Sequence, residues 1–312
     1  MLHIVLIGVG AGLAAALLFA SLISSTPLAF PLFCVTGVPI AIAGFGWTPL
    51  AAAIAALAGA GALFLFMPPL AAGAFLLLFA IPVAWCVRLA AMSRTTDAGT
   101  EWYPYGRLLL HATGAVAIGL SLVGFLIGYD AESMTPGMAD ALQQWFAAHP
   151  DLQSQPTRAE IEPFVRFNLR LLPYSLGAIA LLITVLDLWL GALVARKSGR
   201  LTRLAEPVWT AALPIEAALA FAAALALSFL PPPLGDVAAV FAGATACALA
   251  MVGLAVLHAV TVGNTSRRLV LVVTYFLLAF FGFPIFLFAA LGLAETILHL
   301  RARRFAGTPP SP

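Results

Sequence analysis

Long apolar stretches, separated by short polar ones, make up most of this 312-residue chain. A transmembrane helix needs about 20 predominantly apolar residues, and many of these stretches reach that length. Hydrophobic residues account for 62% of the chain and charged residues for 9%, whereas an ordinary soluble domain is roughly 25% charged. A chain with so few charges cannot cover its surface with polar groups, so the bilayer must be its solvent. The sequence therefore predicts an all-α, polytopic transmembrane helix bundle that forms one integral membrane domain over residues 1–312.

The apolar stretches predict about ten membrane segments, with nine as the alternative. The first eight are Ile4–Ile23, Pro27–Gly46, Thr48–Met67, Leu70–Val87, Leu108–Gly128, Tyr174–Ala195, Val208–Leu230 and Asp236–Val262. The last apolar run, Leu269–Leu300, is longer than one span requires and carries Gly282-Phe283-Pro284 near its middle. Because proline interrupts a helix, this run is either one long kinked helix or a hairpin of two segments.

The distribution of basic residues chooses between these counts. Three loops and the C-terminal tail hold 12 of the 15 Lys and Arg residues: Arg88, Arg94, Arg107, Arg196, Lys197, Arg200, Arg203, Arg267, Arg268, Arg301, Arg303 and Arg304. Short basic loops remain in the cytoplasm, and alternate threading of the spans places all three loops on one side. The tail joins them only when the last run crosses twice. The sequence therefore favours ten segments with both termini cytoplasmic, and nine would leave the tail outside.

Residues 129–172 form the only long hydrophilic segment, and the same threading places it outside, between two membrane halves. Thr135-Pro136 is typical of a helix start, and Thr157 with Glu160 matches a capping box. Each start precedes apolar residues at helical spacing. We therefore predict two extracytoplasmic amphipathic helices that lie on the membrane or over a cavity. They act either as a passive linker or as a functional lid.

Small residues predict that Asp236–Val262 is the central helix of the bundle. Ten of the 14 residues from 237 to 250 are Ala, Gly, Thr or Cys, and they cover most of the helix circumference. Membrane helices associate through close packing rather than through a hydrophobic drive. Neighbouring backbones are therefore expected to approach closely at Gly243, Ala246 and Gly253.

The first span carries a second, narrower small-residue face. Gly8, Gly12, Ala16 and Ala20 recur at four-residue spacing. Such a face suits close approach of another helix. The partner is either a separate membrane protein or another helix of the same chain.

Ionisable groups inside membrane spans are costly and by default mark functional sites. Asp187, Glu216 and His258 all fall within the predicted spans, in their cytoplasmic halves. They predict a polar chamber that binds a ligand or a proton, and the alternative is a set of interhelical hydrogen bonds. Asp187 and Glu216 lie at similar depth on consecutive spans, which allows them to face each other. Two carboxylates that close should not both stay ionised.

Several functional classes lack support in the sequence. None of the motifs HExxH, GxSxG or GxxxxGK[ST] occurs, and the five histidines are scattered. The three cysteines are far apart inside apolar stretches and have no metal-ligand spacing. A net charge of +2 argues against a nucleic-acid partner. We therefore expect no enzyme activity, no cofactor and no metal site, and the lipid bilayer as the main surrounding partner.

Four stretches carry a resemblance to a known family: VPIAIAGFGW at 38–47, EWYPYGRLLL at 101–110, GLAVLHA at 253–259 and GLAE at 292–295. In order and spacing they resemble the YybS-like predicted membrane proteins, a bacterial domain of unknown function. The resemblance implies a location in the bacterial cytoplasmic (inner) membrane. That family is thought to be distantly similar to the substrate-binding subunits of energy-coupling-factor vitamin transporters. In those subunits a small-residue face on the first helix docks a membrane partner, so the resemblance implies such a role for the face that begins at Gly8.

Two functions remain open from the sequence. The first is a transport-related component that binds a small solute of unknown identity within the bundle. It predicts a pocket lined by polar and aromatic groups and closed from outside by residues 129–172. The second is a non-catalytic scaffold or assembly factor of a membrane or envelope complex. It predicts a filled interior and exposed small-residue faces.

Overall fold

A computed structural model of the chain describes residues 1–24, 26–97, 99–149, 151, 156–201, 203 and 210–305, the last three by their backbone alone. The described residues form an all-α bundle with one short β-hairpin, which confirms the predicted fold class. The helices are α1 (Leu2–Ala20), α2 (Ala29–Phe33), α3 (Val38–Gly46), α4 (Pro49–Phe66), α5 (Pro69–Phe75), α6 (Ile81–Ala90), α7 (Tyr105–Leu126), α8 (Ala131–Ala147), α9 (Arg158–Lys197), α10 (Ile215–Leu227), α11 (Leu234–Val260), α12 (Arg267–Phe281), α13 (Pro284–Leu298) and α14 (Leu300–Phe305). The hairpin pairs β1 (Ser93–Thr96) with β2 (Gly99–Trp102) in antiparallel register.

Seven helical segments of the described chain are long and apolar enough to cross a membrane. They are Leu2–Ser24, Ala29–Gly46, Pro49–Phe66, Pro69–Ala90, Tyr105–Leu126, Arg158–Lys197 and Leu234–Val260. Two further apolar helices, α10 and α13, are shorter. These lengths and compositions make the chain a multi-pass membrane protein, while the total of ten segments remains a prediction. The predicted start of one span, Val208, lies outside the described residues.

The last apolar run is broken where the sequence places its Gly-Phe-Pro. Helix α12 ends at Phe281, Gly282 adopts a φ of 65°, and α13 begins at Pro284. Glycine reaches this positive φ at no steric cost, and proline is well suited to the first helical turn. The run is therefore two helices of 15 residues each rather than one kinked helix.

Helix α11 lies at the centre of the bundle. In its most apolar window 72% of the residues are buried, against at most 44% in the other long helices. Its glycines meet backbone on two sides: an added Cβ at Gly243 would lie 1.9 Å from the Tyr174 carbonyl oxygen, and one at Gly253 would lie 2.0 Å from that of Phe288. Ala246, by contrast, is only partly buried. The small residues of α11 thus let α9 and α13 pack against it at backbone distance.

The small-residue face of α1 packs inside the protein. An added Cβ at Gly12 would lie 2.3 Å from the Ala55 carbonyl oxygen of α4, and one at Gly8 would lie 2.7 Å from the Ile54 side chain. Ala16 is buried beside them and Ala20 is partly buried. Because α4 already covers this face, it does not provide the docking surface for a partner protein that the sequence and the resemblance suggested.

The segment 129–172 differs from the prediction in its helix boundaries. Helix α8 begins after Asp130, whose carboxylate accepts hydrogen bonds from the backbone N–H groups of Glu132 and Ser133. It does not begin at Thr135-Pro136. The hydrogen bonds of the Asp130 carboxylate lower its pKa, as expected for an acid that caps a helix. The second amphipathic helix begins as predicted at Thr157, whose backbone N–H donates to the Glu160 carboxylate at 2.8 Å.

Helix α9 then continues without interruption through Pro173 for 40 residues, or about 60 Å. A proline removes one helical hydrogen bond, and here the carbonyl left without its partner is that of Leu169. The Tyr129 hydroxyl donates to this carbonyl at 2.5 Å. Burial and the nearby carboxylates of Asp236 and Asp130 raise the pKa of Tyr129 to about 12, so the phenol stays protonated at neutral pH. A residue from a different part of the chain therefore compensates for the proline.

The apolar faces of α8 and the first part of α9 pack against each other. Their shared core contains Ala131, Ala139, Ile161, Val165 and Leu169, and ion pairs such as Arg170 with Glu132 at 2.7 Å flank it. The two helices thus bury part of their apolar faces in a helical hairpin, while Met138, Trp145 and Phe164 stay exposed. The position of this segment on the membrane or over a cavity remains a prediction.

Candidate functional site

Four separate parts of the chain meet at one end of the bundle around arginine side chains. The Arg203 guanidinium lies 4.0 Å from the centre of the Tyr105 ring and donates to the Ala90 carbonyl at 3.5 Å. The Arg200 guanidinium lies 4.3 Å from the centre of the Trp47 ring. Cations are attracted to the faces of aromatic rings. These contacts join the ends of α3 and α6, the start of α7 and the stretch that follows α9, and we call this the basic end.

The start of the C-terminal tail also lies at the basic end. Arg301 pairs with Glu295 at 2.8 Å and donates to the Ala211 carbonyl at 2.8 Å. The next carbonyl, that of Ala212, closely approaches Gly106 at the start of α7. The pair is well shielded, since the two side chains are only 11% and 6% exposed. Arg301 therefore lies on the same side of the bundle as Arg200 and Arg203.

A cleft with a volume of about 690 Å³ opens among these elements. Its walls come from α3, the start of α4, α6, α7, α9, α11 and α12, together with the β-hairpin and the stretch after α9. Its aromatic lining residues are Phe45, Trp47, Trp102, Tyr105, Trp189 and Tyr275, and its basic ones are Arg196, Arg200, Arg203 and His258. No described lining residue is a carboxylate. We call this the basic cleft; its volume lies within the range of pockets that hold drug-sized ligands.

His258 is the one member of the predicted polar chamber that lines the basic cleft. Its Nε2 lies 2.8 Å from the Tyr275 hydroxyl of α12. The Arg267 guanidinium donates to the His258 carbonyl at 3.3 Å. These contacts hold the first half of α12 against the end of α11, so α12 closes one side of the cleft.

Asp187 lies outside the cleft, on the opposite face of α9. It is fully buried, and one carboxylate oxygen accepts a hydrogen bond from the Gly37 backbone N–H at 3.1 Å. An added Cβ at Gly37 would lie 2.5 Å from that oxygen, so a larger residue there would displace the carboxylate. The other carboxylate oxygen has no hydrogen-bond partner among the described residues. Asp187 thus caps the start of α3, where the chain breaks between α2 and α3.

Glu216 is exposed and lies in the first turn of α10. Helix α10 packs on α11 and α13, whereas Asp187 is directed from α9 toward α3. The carboxylate pair that equal depth allowed is therefore not formed. A carboxylate in the first turn of a helix is stabilised by the helix dipole, which accounts for Glu216 without a ligand.

The arginines and aromatic residues of the cleft were not identified as site residues from the sequence. The basic residues were read there as signals of topology, and nothing local pairs Arg200 with Trp47, about 150 positions away. One signal was available: the stretches 38–47, 101–110 and 253–259, which carry the family resemblance, each contribute to the lining. None of the described residues of 129–172 lines the cleft, so they do not form the predicted closure over it.

Comparisons with known proteins do not add a functional assignment to this geometry. No family model, curated protein or solved structure matches the chain. Within the described residues there is also no group of three or more His, Cys, Asp or Glu side chains placed to hold a metal ion. The basic cleft is therefore interpreted from its own chemistry.

Proposed function

We propose that this membrane protein is a transport-related component that holds a small solute in the basic cleft. The observation that carries the proposal is the open volume of about 690 Å³ with its aromatic and basic lining. A pocket with apolar walls and a few convergent polar groups is the usual form of a ligand site. We place the protein in a bacterial cytoplasmic membrane and in the YybS-like family, with the basic end in the cytoplasm.

The scaffold alternative has less support from the packing. A scaffold was expected to have a filled interior and exposed small-residue faces. The face of α1 is covered by α4, Gly243 and Gly253 of α11 are covered by α9 and α13, and the cleft is unfilled by protein atoms. These features favour a solute site over a docking role.

A cleft-filling variant tests the solute site. Ala192 lines the cleft on α9, so Ala192→Trp should occupy its volume. Ala53 is exposed on α4, outside the lining, and Ala53→Trp is the matched control. Native mass spectrometry of the gently purified protein should detect a bound small molecule in the parent and in the control, but not in Ala192→Trp.

Two results would contradict the proposal. One is a protein partner that co-purifies with the parent in place of any small molecule, which would favour the scaffold. The other is equal retention of the small molecule by both tryptophan variants, which would place the solute elsewhere.

Orientation is tested by labelling single cysteines in intact cells, in a background without native cysteines. Ala148 follows α8, Thr95 lies in the β-hairpin and Ala302 lies beside Arg301; all three are exposed. With the basic end in the cytoplasm, a membrane-impermeant thiol reagent should label Ala148→Cys from outside and should label Thr95→Cys and Ala302→Cys only after permeabilisation. External labelling of Ala302→Cys in intact cells would overturn the cytoplasmic tail.

A further inference from the structure

Among the described residues, the charged side chains that line the basic cleft are all basic. Three arginines line it, and the described lining residues include no carboxylate. Arg196 and Arg200 are exposed at the mouth, whereas Arg203 is only 7% exposed. All three side chains border a cleft whose other walls are mostly apolar. A solute at the mouth of this cleft therefore meets the positive charge of Arg196 and Arg200, and none of the described lining residues is an acid.

Two of the arginines are held in place by stacking. Arg200 lies over Trp47 and Arg203 over Tyr105. A stacked guanidinium still directs N–H donors outward from the edge of its plane, in a fork that matches a carboxylate or a phosphate. Because stacking already restricts the side chain, binding an anion costs less conformational entropy than it would at a free arginine. The Trp47 ring thus orients the Arg200 guanidinium for anion recognition.

The inner walls of the cleft are apolar. Ala112 and Val252 are each 1% exposed, and Leu188 is 9% exposed; all three line the cleft. A fully hydrated inorganic anion would lose its solvent against these walls without compensation. An apolar body bearing one anionic group would place the body on these walls and the charge at the arginines.

We propose that the basic cleft selects an amphipathic organic anion, a molecule with one carboxylate or phosphate group on an apolar body. The anionic group lies at Arg196 and Arg200, and the apolar body extends toward Leu188 and Val252. This ligand class rests on the proposed function, since it names the solute of the same site. Two sources share the chemistry: a free amphipathic acid, and an anionic lipid of the surrounding bilayer.

The test uses the full chain in nanodiscs of zwitterionic phosphatidylcholine. The probe is 11-(dansylamino)undecanoic acid, followed by energy transfer from the tryptophans, three of which (Trp47, Trp102 and Trp189) line the cleft. The acid should bind saturably, and its methyl ester should bind at least about tenfold more weakly, the factor expected when one charge-assisted hydrogen bond is lost. Binding should also weaken as the salt concentration rises.

Matched variants separate the site from general surface charge. Arg200→Gln should weaken binding of the acid by about tenfold and leave binding of the ester unchanged. Arg107→Gln makes the same charge change at the start of α7, outside the lining, and should leave both affinities unchanged. Arg196→Gln serves as the second cleft variant if Arg200→Gln lowers the thermal unfolding midpoint.

Competition identifies the source of the ligand. Displacement of the acid by phosphatidylglycerol added to the nanodiscs would support a bilayer lipid, and no displacement would support a free acid. Equal binding of acid and ester, or equal losses in the Arg200 and Arg107 variants, would overturn the anion selectivity. If Ala192→Trp nevertheless abolished binding of both probes, the solute site would stand and only the ligand class would fail.

Discussion

Replacing Gly243 with alanine should force α9 and α11 apart. The added Cβ would lie 1.9 Å from the carbonyl oxygen of Tyr174, 2.6 Å from its carbonyl carbon and 2.7 Å from its Cα. Ordinary van der Waals contact begins at 3.4 Å, so the oxygen must move by 3.4 − 1.9, or about 1.5 Å. All three obstructing atoms belong to the backbone, which has no alternative rotamer to adopt.

The size of the effect follows from two opposing contributions. Overpacking a well-packed interior costs about 1–3 kcal/mol, and a backbone clash of this size belongs at the upper end. Alanine is a better helix former than glycine by about 1 kcal/mol. The difference, 3 − 1, predicts that Gly243→Ala lowers the free energy of unfolding by about 2 kcal/mol.

The measurement is unfolding of the purified protein in detergent, with two further variants. Gly114 lies on α7 with no atom within 4 Å of an added Cβ, so Gly114→Ala should keep only the gain in helix propensity. Gly177 meets the Val240 carbonyl oxygen in the same interface, at 2.3 Å. Once Gly243→Ala has separated the helices, Gly177→Ala should cost less than it does alone. If Gly243→Ala were as stable as Gly114→Ala, α11 would not be packed at backbone distance.

The remaining predictions concern two buried hydrogen bonds. Tyr129→Phe leaves the Leu169 carbonyl without a donor and should lower the free energy of unfolding by about 1–3 kcal/mol. In a Pro173→Ala background an amide can donate to that carbonyl, so Tyr129→Phe should lower the free energy of unfolding by less. Equal losses in the two backgrounds would refute the compensation. The pKa of Tyr129 is raised to about 12, whereas its value in the unfolded chain is near 10. The stability that this group contributes is therefore complete below pH 10 and is lost as the pH rises through 12. From pH 6 to 9 the ionisation of Tyr129 should leave the free energy of unfolding unchanged. Asp187→Leu removes the acceptor for the Gly37 N–H and should lower the free energy of unfolding by about 1–3 kcal/mol. Asp187→Asn retains an acceptor oxygen and should fold normally. Equal thermal unfolding midpoints for the two variants would exclude the capping role.

The features that the sequence predicted correctly depend on local composition and spacing. Ten small residues among the 14 from 237 to 250 identified α11 as the central helix, because residues that are small on every side permit close approach on every side. Gly282 and Pro284 likewise located the break in the last apolar run. Both arguments use only how a residue constrains its own helix.

Features that depend on distant partners were missed or were wrong. Equal depth of Asp187 and Glu216 does not determine which way either helix faces, and α10 packs against α11 and α13. The sequence placed residues up to 172 in one segment and began a span at Tyr174, whereas α9 runs through Pro173. The hydroxyl that satisfies the freed carbonyl comes from Tyr129, 40 positions away from Leu169. The face of α1 was recognised, but its partner, α4, was not.

The sequence by itself determined the class of the protein, its long apolar helices, its central helix and the small-residue surfaces. The bilayer imposes these features through the length and apolarity of each segment and the need to satisfy its backbone groups internally. They therefore depend on the local composition of each stretch of sequence. Only the tertiary structure decided which helices touch, that Asp187 is a cap, and that Arg200 and Arg203 stack on Trp47 and Tyr105 beside an open cleft. Lipid is as apolar as the side chains, so no hydrophobic drive selects helix neighbours. Shape complementarity between non-consecutive segments selects them, and no local pattern records it.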